Sequence, residues 1–574
     1  MNQQLTGYPS IDKPWLKYFS EEAINGALPE CTIYDYLYNN NKNNKDSVAI
    51  EYFGRKIIYK KLFNKIQETA KAFVAIGVKK DDIVIVSTIT TPETVYIIYA
   101  LNYIGAIPNM VDLRTGVEGI KEYIEEVEAK YVVALDIAYE KMLEAIKGTD
   151  VEKMILLSAT SSMPFVKRTA VKFISRNNMN PESNSKIIKW DLFLKQGSGM
   201  DINKAIYEKD KCCVIVHTGG TTGNPKGVML SNDNVNAAAW QSHNSPILMK
   251  KRDKFLNILP PFVAYGFVLG IHTAVSAGWH SIIIPKFDVE KFDSLIMNYK
   301  PAGIMGVPTY YEKIMDSKLL VNKDLSFLKV VLVGGDKTSA EFEHKVNAFF
   351  REHNSSITLS KGYSMTEASS TATISFEIAN KDNSNGVPLS KTIVSAFDPD
   401  TGKEVPVNQE GELCINTPTM MLGYYGKTDE TNKIIKTHSD GSVWIHTGDI
   451  GRVDEEGFVF VNGRIKRLII RYDGYKVFPV FIEDVVMQYS DIENCCAVGK
   501  IDKEHIQGKL PYVYVVCKNK DIDEDKLKQE LYELCKAELP EYAMPIGFSI
   551  CDSLPVTNIG KIDYRKLEDM ANEE

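Results

Sequence analysis

Residues 213–227 read CVIVHTGGTTGNPKG. Four small apolar residues run straight into a stretch of glycine and threonine that ends on a lysine. The apolar half has the composition of a buried strand, 213–217. The rest has the composition of a loop built around an anion. Glycines 219, 220, 223 and 227 let backbone approach a ligand closely. Thr218, Thr221 and Thr222 offer hydroxyls, successive N–H groups can form an anion-binding nest, and Lys226 adds a positive charge. The pattern differs from the P-loop, in which Gly-Lys-Ser/Thr opens a helix. Here a glycine follows the lysine.

Outward from this stretch, extended apolar runs alternate with amphipathic ones. Strands are predicted at 48–53, 82–87, 153–157, 213–217, 281–285 and 329–333, with helices at 59–76, 91–102, 289–299 and 339–350. Such alternation predicts an α/β fold with doubly wound, largely parallel sheets. After about residue 392 the character changes. DPDTGKEV, EGELCI, SDGSVWIHTGD and DEEGFVFV are short strands with turn signals, a β-rich subdomain. Beyond Gly463 comes GRIKRLIIRYDGYKV, then helix 480–489, strands 497–499 and 512–517, and helix 524–538. The expected organisation is a large N-terminal domain over 1–463, a hinge at 464–467 and a small, mobile α+β domain over 468–574.

Composition bounds the function. The chain has 574 residues, is 44% apolar and 25% charged, and carries 67 Lys+Arg against 75 Asp+Glu, a net charge of −8. That argues for a globular protein and against nucleic-acid binding. Nine cysteines with no CxxC and no zinc-ligand spacing point to a reducing, cytoplasmic setting. The first residues lack an apolar signal core. The most lipid-like run, 262–285, is broken by glycines and His272 and alternates like a buried helix followed by a strand at 281–284, so no membrane span is expected. Residues 158–177 are basic and amphipathic, with Lys167, Arg168, Lys172 and Arg176. They read as a solvated helix face, with lipid or an acidic partner as the alternative.

Four more motifs follow in order: GYSMTE (362–367), HTGD (446–449), GRIKR (463–467) and PVTNIGKIDYRKL (555–567). Together with the glycine-threonine loop they cover nearly the whole chain. In this order they resemble the signature of the AMP-forming adenylating enzymes: acyl-CoA synthetases, nonribosomal adenylation domains and beetle luciferases. The acyl-CoA synthetases are the most similar. The resemblance implies ATP, Mg²⁺ and coenzyme A as cofactors, and a catalytic set of Lys561, Thr366, Glu367 and Lys226.

The chemistry fits those residue types. A carboxylate is a poor electrophile until it is joined to AMP. Joining two anions calls for cations and oriented donors around the α-phosphate. The resemblance implies that Lys561 bridges the carboxylate and that phosphate. Glu367 is a hard oxygen ligand for Mg²⁺, and Thr366 can donate to the phosphate. Thr218, Gly219, Gly220, Thr221, Thr222 and Gly223 would hold the nucleotide phosphates. Gly362 and Tyr363, with Gly335 and Asp336 in VLVGGDK, would meet the adenine. Asp449 and Arg464 would meet the ribose. The resemblance also implies a small domain that turns about Lys466, presenting Lys561 for one half-reaction and the loop around Gly474 for the other. Tyr265, Lys361 and Arg467 depart from the residues expected at those positions, and the stretch from Arg467 to Gly474 is one residue longer than expected. These departures bear on thiol-transfer geometry.

Amino-acid-activating relatives carry an Asp just before an aromatic-glycine pair. Here LPPFVAYGF, 259–267, has no acid, and a buried ammonium without a partner is costly. The substrate is therefore expected to be a fatty or aryl carboxylic acid without an α-amine. Val263, Tyr265, Gly306, Thr309, Tyr310, Gly334 and Ser364 are the candidate pocket residues. No carrier domain follows Lys561, so the thiol is read as separate coenzyme A. A carrier-protein phosphopantetheine arm is the alternative acceptor. From other classes, a luciferase-like oxygenase and a decayed nucleotide-binding protein are the competing readings. Oligomeric state stays open.

Overall fold

A computed structural model describes residues 5–174, 186–218, 225–334, 338–473, 475–505, 508–519, 522–556 and 562–573. Strand Cys212–His217 lies inside an eight-stranded sheet. The strand order is Gly423–Tyr424, Gly227–Ser231, Cys212–His217, Ile107–Met110, Ile83–Ser87, Tyr131–Leu135, Lys153–Leu157, Ile187–Lys189. The six strands from Cys212–His217 onward are mutually parallel, and Gly227–Ser231 runs antiparallel to both of its neighbours, Cys212–His217 and Gly423–Tyr424.

Both faces of this sheet are covered, as parallel sheets require. Along Ile83–Ser87, Val84 and Val86 join one core and Ile85 joins another; along Tyr131–Leu135, Val133 and Leu135 face the first core, Val132 and Ala134 the second. Period-2 alternation thus divides apolar side chains between two helical layers. Helix Tyr59–Ala75 supplies the first layer through Leu62, Phe63, Ile66, Ala70 and Phe73, spaced at three and four residues. Helix Pro92–Ile104 lies beside it, started by Thr91, whose hydroxyl accepts from Thr94 N at 3.1 Å.

A second sheet has nine strands, in the order Val387–Pro388, Ser370–Ile374, Leu359–Met365, Val330–Val333, Gly303–Gly306, Lys254–Asn257, His280–Ile283, Val48–Tyr52, Arg55–Ile58. The chain's first strand therefore pairs with its eleventh, at Ile50–Ser281. A third, antiparallel sheet joins Ile393–Phe397, Gly411–Asn416, Val443–Val453, Ile435–Thr437 and Val459–Arg464. It is the β-rich region expected from the turn-rich sequence. The C-terminal part has its own core of Ile482, Val486, Ala497, Val513, Val515, Leu531 and Cys535. There, strands Ile492–Ile501, Lys509–Cys517 and Phe548–Ile550 pack under helices Pro479–Val486 and Glu524–Glu538.

Two local expectations change. The strand expected at 497–499 extends over Ile492–Ile501, because a long antiparallel partner pairs with it from Ile492–Cys517 to Ile501–Lys509. The buried helix expected within 262–285 is π-helical over Tyr265–Thr273. Two features accompany the wider turn. Gly266 packs so close to Pro260 that a methyl group there would lie 1.8 Å from its carbonyl oxygen. The Gly270 carbonyl accepts the Asn257 side-chain amide at 2.7 Å. Insertions of this kind occur often at functional sites. Among the described residues no helix is long and apolar enough to cross a membrane.

Candidate active site

The glycine-threonine loop leaves the first sheet at the carboxyl end of Cys212–His217, where open α/β sheets bind ligands. Residues 219–223 lie outside the described residues. The loop's stem does not. Thr218 N donates to Lys226 O at 3.1 Å, and Lys226 N donates to Thr218 Oγ1 at 3.0 Å. His217 is buried and bonds the Met110 carbonyl through Nδ1 at 3.0 Å. Burial lowers its pKa to about 4, so the ring is neutral.

Lys226 does not stand alone. Its ammonium pairs with Glu430 at 2.7 Å and sits 4.6 Å from the centre of the Tyr424 ring. Hydrogen bonds from Lys226 and then Lys433 lower the Glu430 pKa to about 2. The Tyr424 hydroxyl donates to Glu367 Oε1 at 2.6 Å. Tyr424 belongs to the end strand of the first sheet. Glu367 belongs to the turn Thr366–Ala368 that follows a strand of the second. This contact therefore fastens the phosphate-loop stem to the candidate metal ligand.

A second set of contacts joins the second sheet to the third. The Tyr363 hydroxyl donates to Asp449 Oδ2, and Arg464 Nε pairs with Asp449 Oδ1 at 2.7 Å. Asp449 is buried, while the Arg464 side chain is 59% exposed. Burial raises the Asp449 pKa against the pull of Arg464 and Tyr363. Burial and then the Asp449 charge push the Tyr363 hydroxyl far above its ordinary value. Both carboxylate oxygens of Asp449 are thus engaged, one of them by a solvent-accessible arginine.

The HTGD segment is itself braced. His446 Nδ1 bonds Glu412 Oε2 at 2.7 Å, and the same carboxylate accepts from Gly448 N at 3.0 Å. Thr447 Oγ1 accepts from Asp449 N at 3.0 Å. Gly448 has φ +71°, the left-handed region that glycine enters without strain.

Of the candidate pocket residues, Tyr265 and Gly334 are neighbours: a methyl group on Gly334 would meet the Tyr265 hydroxyl oxygen at 3.7 Å. Tyr310 lies over Gly306, where a methyl group would come within 2.7 Å of its ring. Val263 is half-buried and accepts Phe267 N at 2.9 Å. Thr309 and Ser364 are exposed. Gly362 packs against Thr373, whose carbonyl oxygen would lie 2.3 Å from a methyl group placed there. Thr366 is half-buried, and Lys466 lies in the 3₁₀ turn Ile465–Arg467.

Gly335, Asp336, Gly474 and Lys561 fall outside the described residues, like Gly219, Gly220, Thr221, Thr222 and Gly223. The stem of the Lys561 loop is described. Val556 and Ile562 form an isolated bridge, and Asp563 N donates to Pro555 O at 2.8 Å.

Tyr424, Glu430 and Glu412 are contacts the sequence does not announce. They lie 57, 204 and 34 residues from the groups they touch. No spacing rule links them. Lys361 and Arg467, which depart from the residues expected at their positions, have partners too. Lys361 forms a buried ion pair with Glu343, whose other oxygen accepts from Asn380 at 2.5 Å. Arg467 pairs with Glu483 and donates to the Ala497 carbonyl at 3.2 Å.

Comparison with known proteins matches residues 37–425 to the AMP-binding enzyme family and residues 482–561 to the AMP-binding enzyme C-terminal domain. A long-chain-fatty-acid–CoA ligase of Bacillus subtilis is 27% identical over 97% of both chains. A probable 4-coumarate–CoA ligase of Dictyostelium discoideum is 26% identical over 96% of this chain and 97% of its own. Among solved structures, ATP-bound MatB from Rhodopseudomonas palustris aligns with a TM-score of 0.79 at 22% identity, covering 94% of this chain and 98% of its own. An anthranilate CoA ligase in complex with anthranoyl-AMP aligns with a TM-score of 0.78 at 18% identity, over 95% and 98%.

Proposed function

Because this chain belongs to the AMP-binding enzyme family, we propose that it activates a carboxylic acid with ATP and passes the acyl group to coenzyme A. A carboxylate oxygen attacks the α-phosphorus, pyrophosphate leaves, and an acyl-adenylate remains bound. The thiol sulfur then attacks the acyl carbon, and AMP leaves. Relatives named as CoA ligases for long-chain fatty acids and for 4-coumarate support coenzyme A as the acceptor and an aliphatic or aryl acid as the donor.

The observation that carries this reading is the joining of three sheets at one place. Tyr424–Glu367 ties the phosphate-loop stem to the second sheet, and Tyr363–Asp449–Arg464 ties the second sheet to the third. The loop 218–223 with Lys226 binds the phosphates in this reading. Thr366 donates to the α-phosphate and Lys561 bridges it to the carboxylate. Gly335, Asp336, Gly362 and Tyr363 meet the adenine, and Asp449 with Arg464 meets the ribose. Nucleotide binding then exchanges the Arg464–Asp449 contact for contacts to the sugar hydroxyls.

Glu367 suits Mg²⁺. It offers a hard carboxylate, of which Tyr424 occupies one oxygen, and a single such ligand fits an ion held mainly by nucleotide phosphates. When bound, Mg²⁺ supplies neutralisation of phosphate charge. The pocket is formed by Val263, Tyr265, Gly306, Thr309, Tyr310, Gly334 and Ser364. With no acid in 259–267 it has no counter-charge there for an α-ammonium.

The two half-reactions are assigned to two orientations of the unit 468–574 about Lys466, with Gly474 on the loop that serves the thiol. Arg464 is paired to Asp449, while Arg467, three residues on, is paired to Glu483 of the C-terminal core. These opposed anchors support a hinge at 464–467. The reading is tested by the products of incubation with ATP, an aliphatic acid and coenzyme A. Equal amounts of AMP, pyrophosphate and thioester are expected. ADP and phosphate would contradict it.

A further inference from the structure

The segment after strand Lys153–Leu157 forms helix Phe165–Ile174. Its approach is tied down. Tyr52 donates to the Ala159 carbonyl at 2.7 Å, Arg55 to the Ser162 carbonyl at 3.4 Å, and Lys167 to the Phe53 carbonyl at 2.9 Å. The first turn is nonetheless bare. Phe165 is 83% exposed and Val166 is 78% exposed. Burying a large apolar side chain is worth about 1.5–3 kcal/mol, so a fold that leaves two adjacent ones in water has not used them for its own core.

The sequence continues the pattern. Val166, Ala170, Phe173 and Ile174 recur at spacings of three and four, with Lys167, Arg168 and Lys172 outside that stripe. The helix has three basic residues and no acidic one, in a chain of net charge −8. An amphipathic helix with an uncovered apolar start and a basic complement matches the headgroup layer of an anionic membrane. A protein groove would need a matching shape. A bilayer surface needs only this pairing of apolar and basic groups.

Its place in the fold adds weight. Leu157 pairs in parallel with Leu135, Val133 with Val86, and Val86 with Met110, whose carbonyl holds His217. The helix therefore follows the carboxyl end of its strand, on the same side of the first sheet's strand ends as the phosphate loop, four strands away. Exposed Ile137 follows the carboxyl end of the neighbouring strand Tyr131–Leu135.

We propose that helix Phe165–Ile174 docks this protein on the surface of an anionic phospholipid bilayer. Phe165 and Val166 enter the headgroup region, and Lys167 and Arg168 meet lipid phosphates. The test is flotation of the purified full chain with vesicles of phosphatidylcholine alone or with about 30% phosphatidylglycerol. No ATP or acid is present, so the result does not depend on the proposed reaction. The intact chain is expected to float with the anionic vesicles, and less so as salt rises from about 0.05 M to about 0.5 M. Phe165→Ser with Val166→Ser, and separately Lys167→Glu with Arg168→Glu, are each expected to lower the bound fraction about tenfold. Both variants should keep the far-ultraviolet circular dichroism and the thermal midpoint of the intact chain, showing that the fold survives. Equal flotation with neutral and anionic vesicles, no flotation with either, or flotation unchanged in both variants would overturn the proposal.

Discussion

Glu367 is held by a tyrosine 57 residues away, and that bond has a measurable consequence. Tyr424→Phe removes the hydroxyl and keeps the ring over which Lys226 sits. A hydrogen bond to a charged group is worth about 1.5–3 kcal/mol. The variant should therefore lose roughly tenfold in kcat/KM for MgATP, with the loss partly offset by raising Mg²⁺. Steady-state pyrophosphate exchange across a metal titration reads this, and an unchanged kcat/KM would remove Tyr424 from the site. Lys561 is assigned on sequence alone. Lys561→Ala should slow acyl-adenylate formation by about 10²–10³, the scale of losing a preorganised charge donor. Supplied with synthetic acyl-adenylate, the variant should still form thioester. Pyrophosphate exchange near that of the intact chain would show the lysine to be misassigned.

At the scale of elements, the hinge is defined by which way its charges point. Arg464 closes strand Val459–Arg464 against Asp449, and Arg467 is already committed to Glu483. Lys466, between them, is where a change of backbone dihedral would turn one unit against the other. Lys466→Pro fixes φ near −65°. It should leave adenylate formation within a few fold and slow thioester formation far more, measured as separate half-reactions. Equal losses in both would count against rotation. The parallel sheets were legible because buried strands are apolar throughout and helices such as Tyr59–Ala75 keep a strict stripe. The pairing of Val48–Tyr52 with His280–Ile283 was not, since parallel partners carry no local mark. The loop stems were legible for a different reason: glycine and threonine cluster where the chain must turn. Tyr424, Glu430 and the Lys361–Glu343 pair were not, because each is a single polar residue whose meaning lies in a distant partner.

The whole molecule carries a built-in sensitivity to acid. His217 is buried with a pKa near 4 and His272 with one near 3, both lowered first by burial from an ordinary value of 6.5. Tyr99 and Asn236 engage both nitrogens of His272. Because the folded values lie below the unfolded one, the unfolded chain binds more protons between pH 6.5 and about 4. Stability is therefore full above that window and falls as pH drops through it, by about 2–4 kcal/mol for each ring. Denaturant midpoints should fall from pH 7 to pH 4.5, and His272→Gln should flatten that dependence. A midpoint independent of pH would contradict the burial of these rings. The claim to which site, hinge and pocket all lead is that a simple carboxylic acid becomes an adenylate. It is tested most directly by ATP–pyrophosphate exchange without any thiol, using an aliphatic acid and its α-amino counterpart of equal length. Exchange is expected with the simple acid, exceeding that with the amino acid by about 10² or more, because 259–267 offers the ammonium no acidic partner. Exchange supported by the amino acid in preference to the simple acid would contradict it.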